Sequence, residues 1–187
     1  MLLIDDIFII GIILLVVGCI VAFIRKMNPL QIIAWSIIYI YGISVLGITL
    51  FPIPFQDVEV LPPVPGNIVP FKTILSILES NSIRLCLVQI GGNIAISIPF
   101  GFISGVIIKR KSLTYVAPIL FPCIIEIMQI VIGLLINYQY RSFDVDDFLL
   151  NTLGGYIGLI VAKGVFRKHL PQIRGIILPQ ATKHNVS

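Results

Sequence analysis

Charge is what this chain has least of. Only 12% of its 187 residues are Asp, Glu, Lys or Arg, against 57% hydrophobic, and the mean hydropathy is +1.04. A water-soluble domain of this length cannot hide so much apolar surface, which excludes a soluble fold and implies an integral membrane protein of one compact domain. The period-two alternation of a lipid-facing strand is missing as well. The apolar runs are long, so helices rather than a barrel are expected to span the lipid. Cysteine is scarce, and Cys19, Cys86 and Cys123 fall singly in apolar runs with no C-x-x-C spacing. They read as small apolar packing residues. The two histidines, His169 and His184, both lie beyond the last apolar run. No basic stripe with interleaved aromatics accompanies the net charge of +4, so nucleic acid is not an expected partner.

What is present is a succession of five apolar runs, each about the 20 residues a bilayer requires. They are Ile7–Ile24, Gln31–Leu50, Leu85–Ile108, Leu113–Ile136 and Phe148–Phe166. The fold class expected is all-α, a polytopic membrane helix bundle. The first run lacks a basic n-region and a small-residue cleavage site and carries Asp5 and Asp6 instead, so it is expected to stay as a helix. Three segments follow: 1–66 with two helices and a proline-rich loop, 67–166 with a core of three helices, and a basic tail, 167–187.

The connections alternate in charge. Arg25 and Lys26 follow the first run, Lys109–Lys111 the third, and Lys163, Arg167, Lys168, Arg174 and Lys183 the fifth. That places ten of the thirteen basic residues on one side, the other three being Lys72, Arg84 and Arg141. By the positive-inside rule the basic side is cytoplasmic, with the N-terminus outside and the C-terminus inside a multi-pass protein of the cell membrane. The loops 51–84 and 137–147 then face outward. The first holds "FPIPF" and "LPPVPG", whose prolines rule out continuous helix. After them Phe71, Ile74, Leu75 and Leu78 recur at helical spacing, with Lys72, Ser76 and Glu79 between. This predicts a short amphipathic helix at the outer surface, with Pro70 in its first turn.

Polar residues interrupt the runs at matching depths. Glu126 and Gln129 share one face of the fourth, with Pro118 and Pro122 nearer the basic end. Asn93, Ser97, Gly101 and Gly105 line the third at intervals of four, and Asn151, Gly155, Gly158 and Ala162 line the fifth. Small residues of this kind let helices approach closely. Asn93, Gln129 and Glu126 can serve as cross-helix hydrogen bonds, but an ionisable residue inside the membrane points first to function. Before the fifth run, Asp144, Asp146 and Asp147 crowd behind Arg141. Capping of a helix start explains one aspartate, and three beside an arginine also suit a cation or a basic ligand group.

Four stretches in order, "NIVPF" at 67–71, "GNIAISIPFGF" at 92–102, "EIMQ" at 126–129 and "RSFDVDDFLLNTLGG" at 141–155, resemble the VanZ-like family of bacterial membrane proteins. The resemblance covers about 67–160. It implies a multi-helix protein of a Gram-positive type of envelope. The family's name member is associated with low-level teicoplanin resistance without altered peptidoglycan precursors. No biochemical activity is settled for the family, so no catalytic residue carries over. What the resemblance implies is a shared feature built from Asn67, Asn93, Glu126, Gln129, Arg141, Asp144, Asp146, Asp147 and Asn151. With Lys72 these form the expected outward-opening pocket, Glu126 at its floor.

Three functions are compatible with such a pocket. The first is binding of a lipid head group, a lipoglycopeptide antibiotic or a lipid-linked envelope precursor, with membrane lipids as partners. The second is a membrane enzyme acting on a lipid-linked phosphate, with the aspartates on a metal, Lys72 and Arg141 on phosphate, and Glu126 as acid or base. The third is a proton-coupled transporter, which five helices without a repeat fit poorly. No cofactor signature is present, and catalytic residues and metal ligands stay unassigned.

Overall fold

The computed structural model describes residues 4–53, 66–136 and 141–178. The proline-rich stretch 54–65, residues 137–140 and the end of the tail with Lys183 and His184 lie outside the described residues. Among the described residues, five helices are long and apolar enough to cross a membrane. The chain is all-α, with α1 Ile4–Ile24, α2 Pro29–Leu50, the short α3 Lys72–Glu79, α4 Ile83–Ile107, α5 Lys111–Leu135, α6 Val145–Val165 and α7 Leu170–Ile177. The spanning helices lie within three residues of the sequence expectation at each end. The differences come from capping: Asn28 accepts from Leu30 N (2.9 Å) just before Pro29, and Asp144 accepts from Asp146 N (2.8 Å) to start α6 three residues early.

Helices α1 and α2 form an antiparallel hairpin. Tyr39 donates its hydroxyl to Gly11 O (3.1 Å), Cys19 Sγ lies 3.5 Å from Ser36 Oγ, and Phe8 packs on Gly47. The other unit is the α4–α6 pair with α5 against it. At this seam a Cβ on Gly101 would overlap the Gly155 carbonyl oxygen, and one on Gly158 would overlap Ile98 O. Only glycine lets the two backbones come this close, which is the use the small-residue stripes of the third and fifth runs announced. Pro118 and Pro122, both fully buried, sit inside a continuous α5, and Pro118 packs on Gly155. Two π-helical stretches occur among the described residues, Cys86–Gly91 in α4, ending two residues before Asn93, and Val161–Val165 in α6.

One expectation is corrected. The amphipathic helix is present, but it begins at Lys72, and Pro70 precedes it instead of lying in its first turn. Phe71 adopts a left-handed conformation (φ 67°) that places it before the helix, and the Phe71 backbone is held there from outside. The first part of the basic tail folds into α7 and packs back on the bundle. Trp35 Nε1 donates to Ile177 O (3.1 Å), Arg174 Nε donates to Val106 O (2.7 Å), and Ile177 is buried. Arg174 thereby satisfies a carbonyl in the last turn of α4, where a cation also suits the helix dipole.

Alternation of the helices leaves two unlike ends. One, the basic end, holds the turns 25–28, 108–110 and 166–169 with α7. The other, the acidic end, gathers the last turn of α2, α3, the starts of α4 and α6 and the end of α5.

Candidate functional site

The acidic end is organised around two aspartates whose oxygens are in use. Asp146 is completely buried. One oxygen accepts from Phe71 N, and the other accepts from Thr73 N (2.8 Å) and Ile74 N (3.1 Å). It therefore caps α3 from a different helix, satisfying three of the N–H groups that any helix start leaves open. Asp144 caps its own helix and also accepts from Thr73 Oγ1 (2.6 Å) and Asn67 Nδ2 (3.0 Å). Asn67 joins the two segments by backbone as well, through Asn67 N to Phe143 O (2.8 Å) and Val145 N to Asn67 O (2.9 Å). These bonds give "NIVPF" and "RSFDVDD" a structural reason to occur together.

Gln129 and Arg141 serve the hairpin. Gln129 Nε2 donates to Thr49 O (2.8 Å), while Arg141 Nη2 donates to Ile48 O (3.2 Å) and Phe51 O (3.1 Å). Thr49 Oγ1 in turn donates to Val45 O (2.7 Å). The carbonyl end of α2 is thus closed by side chains from α5 and the following loop. No hydrogen bond among the described residues joins Glu126 to Arg141 or Gln129, whose bonded donors go to the α2 carbonyls. Lys72 is exposed on the first turn of α3 and bonds none of the cluster among the described residues.

A second polar row runs between α4 and α6. Ser97 Oγ, fully buried, donates to Asn151 Oδ1 (2.7 Å). Asn151 Nδ2 donates to Asn93 Oδ1 (3.2 Å) and to Asp147 O (2.8 Å). Asn93 Nδ2 donates to Asp147 Oδ1 (2.6 Å) and to Gln89 O (2.8 Å). The row leads from the glycine seam to Asp147, where it ends with one carboxylate oxygen that accepts nothing among the described residues. Glu126, half-buried on α5, lies within electrostatic reach of Asp147 and Asp144 and has no hydrogen bond among the described residues. Thr152, next to Asn151, has a buried hydroxyl with no partner among them either.

The ten expected residues therefore divide. Asn67, Asp144, Asp146, Gln129 and Arg141 are spent on holding α3, α6 and α2. Asn93, Asp147 and Asn151 form one row with Glu126 beside it. Lys72 stands apart. Sequence reasoning missed Thr73 and the α3 backbone as partners of the aspartates, and it read Ser97 only as part of a small-residue stripe. Among the described residues no group of three His, Cys, Asp or Glu is placed to hold a metal ion. Asp144 and Asp146 point their oxygens at protein donors, which leaves the three aspartates without a common focus.

No curated protein and no solved structure matches the chain. Residues 38–167 match the family described as VanZ/LLP1, a longer stretch than the four motifs alone, starting inside α2. That match takes in more than half of the chain and all ten of these residues, and the protein belongs to the VanZ-like family.

Proposed function

We propose that this membrane protein binds the head group of a lipid or lipid-anchored molecule in an acidic pocket on the non-cytoplasmic side of the bacterial membrane. By doing so it contributes to low-level resistance of the teicoplanin type. The observation that carries the reading is the contrast among four acids. Asp144 and Asp146 are filled by internal donors, whereas Glu126 and the outer oxygen of Asp147 accept nothing among the described residues. Such groups persist inside a membrane when a partner, a proton or a ligand meets them. A ligand bearing amine, amide or hydroxyl donors answers that need, and amino-sugar and peptide head groups carry all three. The positive-inside distribution supports the outward orientation.

The test is expression in a sensitive host. The inhibitory concentration of teicoplanin, with its acyl tail, should rise more than that of vancomycin, which lacks one. Equal shifts, or none, reject the specificity. Glu126→Gln keeps size and hydrogen bonding but not the ability to ionise. At equal membrane abundance it should abolish the shift, and a retained shift would make Glu126 a structural residue. The enzyme and transporter readings have no specific observation in their favour. The expected phosphate ligand Arg141 is committed to α2, and the aspartates do not converge.

A further inference from the structure

At the basic half of the bundle a lateral groove of about 510 Å³ opens between α2 and α4. Ile37 and Tyr41 form one wall, Ile103 and Val106 the other, and Phe166 and Ile177 close it toward the basic end. No polar atom contributes to its exposed lining. Its volume is that of an ordinary small-molecule site, roughly 300–1,000 Å³. Two observations bear on its occupant. The groove lies along membrane-spanning helices, where the surrounding solvent is acyl chain. Beside it on α7, one turn before the lining residue Ile177, is an arginine with donors to spare: Arg174 gives Nε to the carbonyl of Val106, another lining residue, while its Nη groups make no hydrogen bond among the described residues. Trp35, bonded to Ile177 O on the same helix, is an aromatic residue of the kind enriched at membrane interfaces.

We propose that this groove binds one acyl chain of an anionic phospholipid from the leaflet at the basic end, with its phosphate on the Nη groups of Arg174. A guanidinium presents paired N–H groups that match two phosphate oxygens. Lys109, Arg110, Arg167 and Lys168, in the turns at this end, add the positive field that selects an anionic head group over a zwitterionic one. The site is at the opposite end of the molecule from the acidic pocket and does not depend on what that pocket binds.

The full chain is reconstituted in nanodiscs of equal parts phosphatidylglycerol and phosphatidylcholine, released into detergent and weighed by native mass spectrometry. One lipid should stay bound, with phosphatidylglycerol favoured about fivefold, the ratio expected for one arginine at a charged surface. Ile37→Trp, at a wall position 63% exposed and so tolerant of size, should remove both lipids without moving the melting temperature. Arg174→Gln should leave a lipid bound with the preference for phosphatidylglycerol clearly reduced, the remainder coming from the neighbouring basic turns, and an unchanged preference would overturn the role of Arg174. Parity on the unaltered protein, no retained lipid, or an Ile37→Trp variant that keeps its lipid would each overturn the proposal.

Discussion

Helices α1 and α6 are both long and apolar enough to span a bilayer, yet only 6% of the spanning window of α1 is buried inside the protein, against 39% for α6. The helix made mostly of Ile, Leu and Val faces lipid, and the one that carries Asn151 and the glycines of the seam is the centre of the molecule. In water the apolar helix would be the core. In lipid, large aliphatic side chains gain nothing by leaving the solvent, and association depends on close backbone approach and internal hydrogen bonds. The two regions are also joined differently. The α4–α6 pair meets backbone to backbone at its glycines, whereas the α1–α2 hairpin is held to the rest through individual donors: Gln129 and Arg141 at the acidic end, Tyr41 Oη to Ile96 O (2.7 Å) in the middle and Trp35 at the basic end.

The sharpest way to break this contrast is a side chain at the seam. Gly158→Leu would drive carbon into Ile98 O and Phe102 N, at a cost of about 3 kcal/mol or more, and we expect no folded protein by size-exclusion profile in detergent. Asp146→Ala comes next. It strips the acceptor from three N–H groups and should cost about 3 kcal/mol, with hydrogen exchange of α3 amides accelerated before those of α5. Arg141→Ala is expected to cost only about 1 kcal/mol, because its side chain is exposed, and to speed exchange and proteolysis at the end of α2 while α4 and α6 stay protected. Smallest of all, Gly42→Ala in the hairpin meets no atom within 4 Å and should move the thermal midpoint by less than the equivalent of about 0.5 kcal/mol. Equal effects of Gly42→Ala and a seam substitution would dissolve the distinction between the two regions.

Much of this was legible in the residues. Hydropathy located all five spans, since a bilayer imposes one length on each. The intervals of four between Asn93, Ser97, Gly101 and Gly105, and of four, three and four between Asn151, Gly155, Gly158 and Ala162, marked the two faces that meet. What could not be read was the division of labour among the acids. Asp144, Asp146 and Asp147 are near neighbours of one type in sequence, and they differ only in what lies opposite: Thr73 and Asn67, the α3 backbone, or Asn93. Backbone donors carry no sequence signal, so Asp146 as the cap of a helix more than seventy residues away was invisible. Arg174 counted equally well as one more cytoplasmic charge until α7 turned back and brought it to Val106 O.

The reach of Asp146 to Phe71 N, 75 positions back along the chain, also bears on the order of manufacture. When α3 leaves the ribosome its first amides have no acceptor, and the residue that supplies one belongs to the last spanning helix. At about 5–20 residues per second the delay is on the order of 4–15 s. For that interval α3 can only rest on the membrane surface with its N-terminus turned to water. The arrival of α6 is then the event that docks it, so that a chain cut short before residue 146 would insert four helices and still lack a closed acidic end.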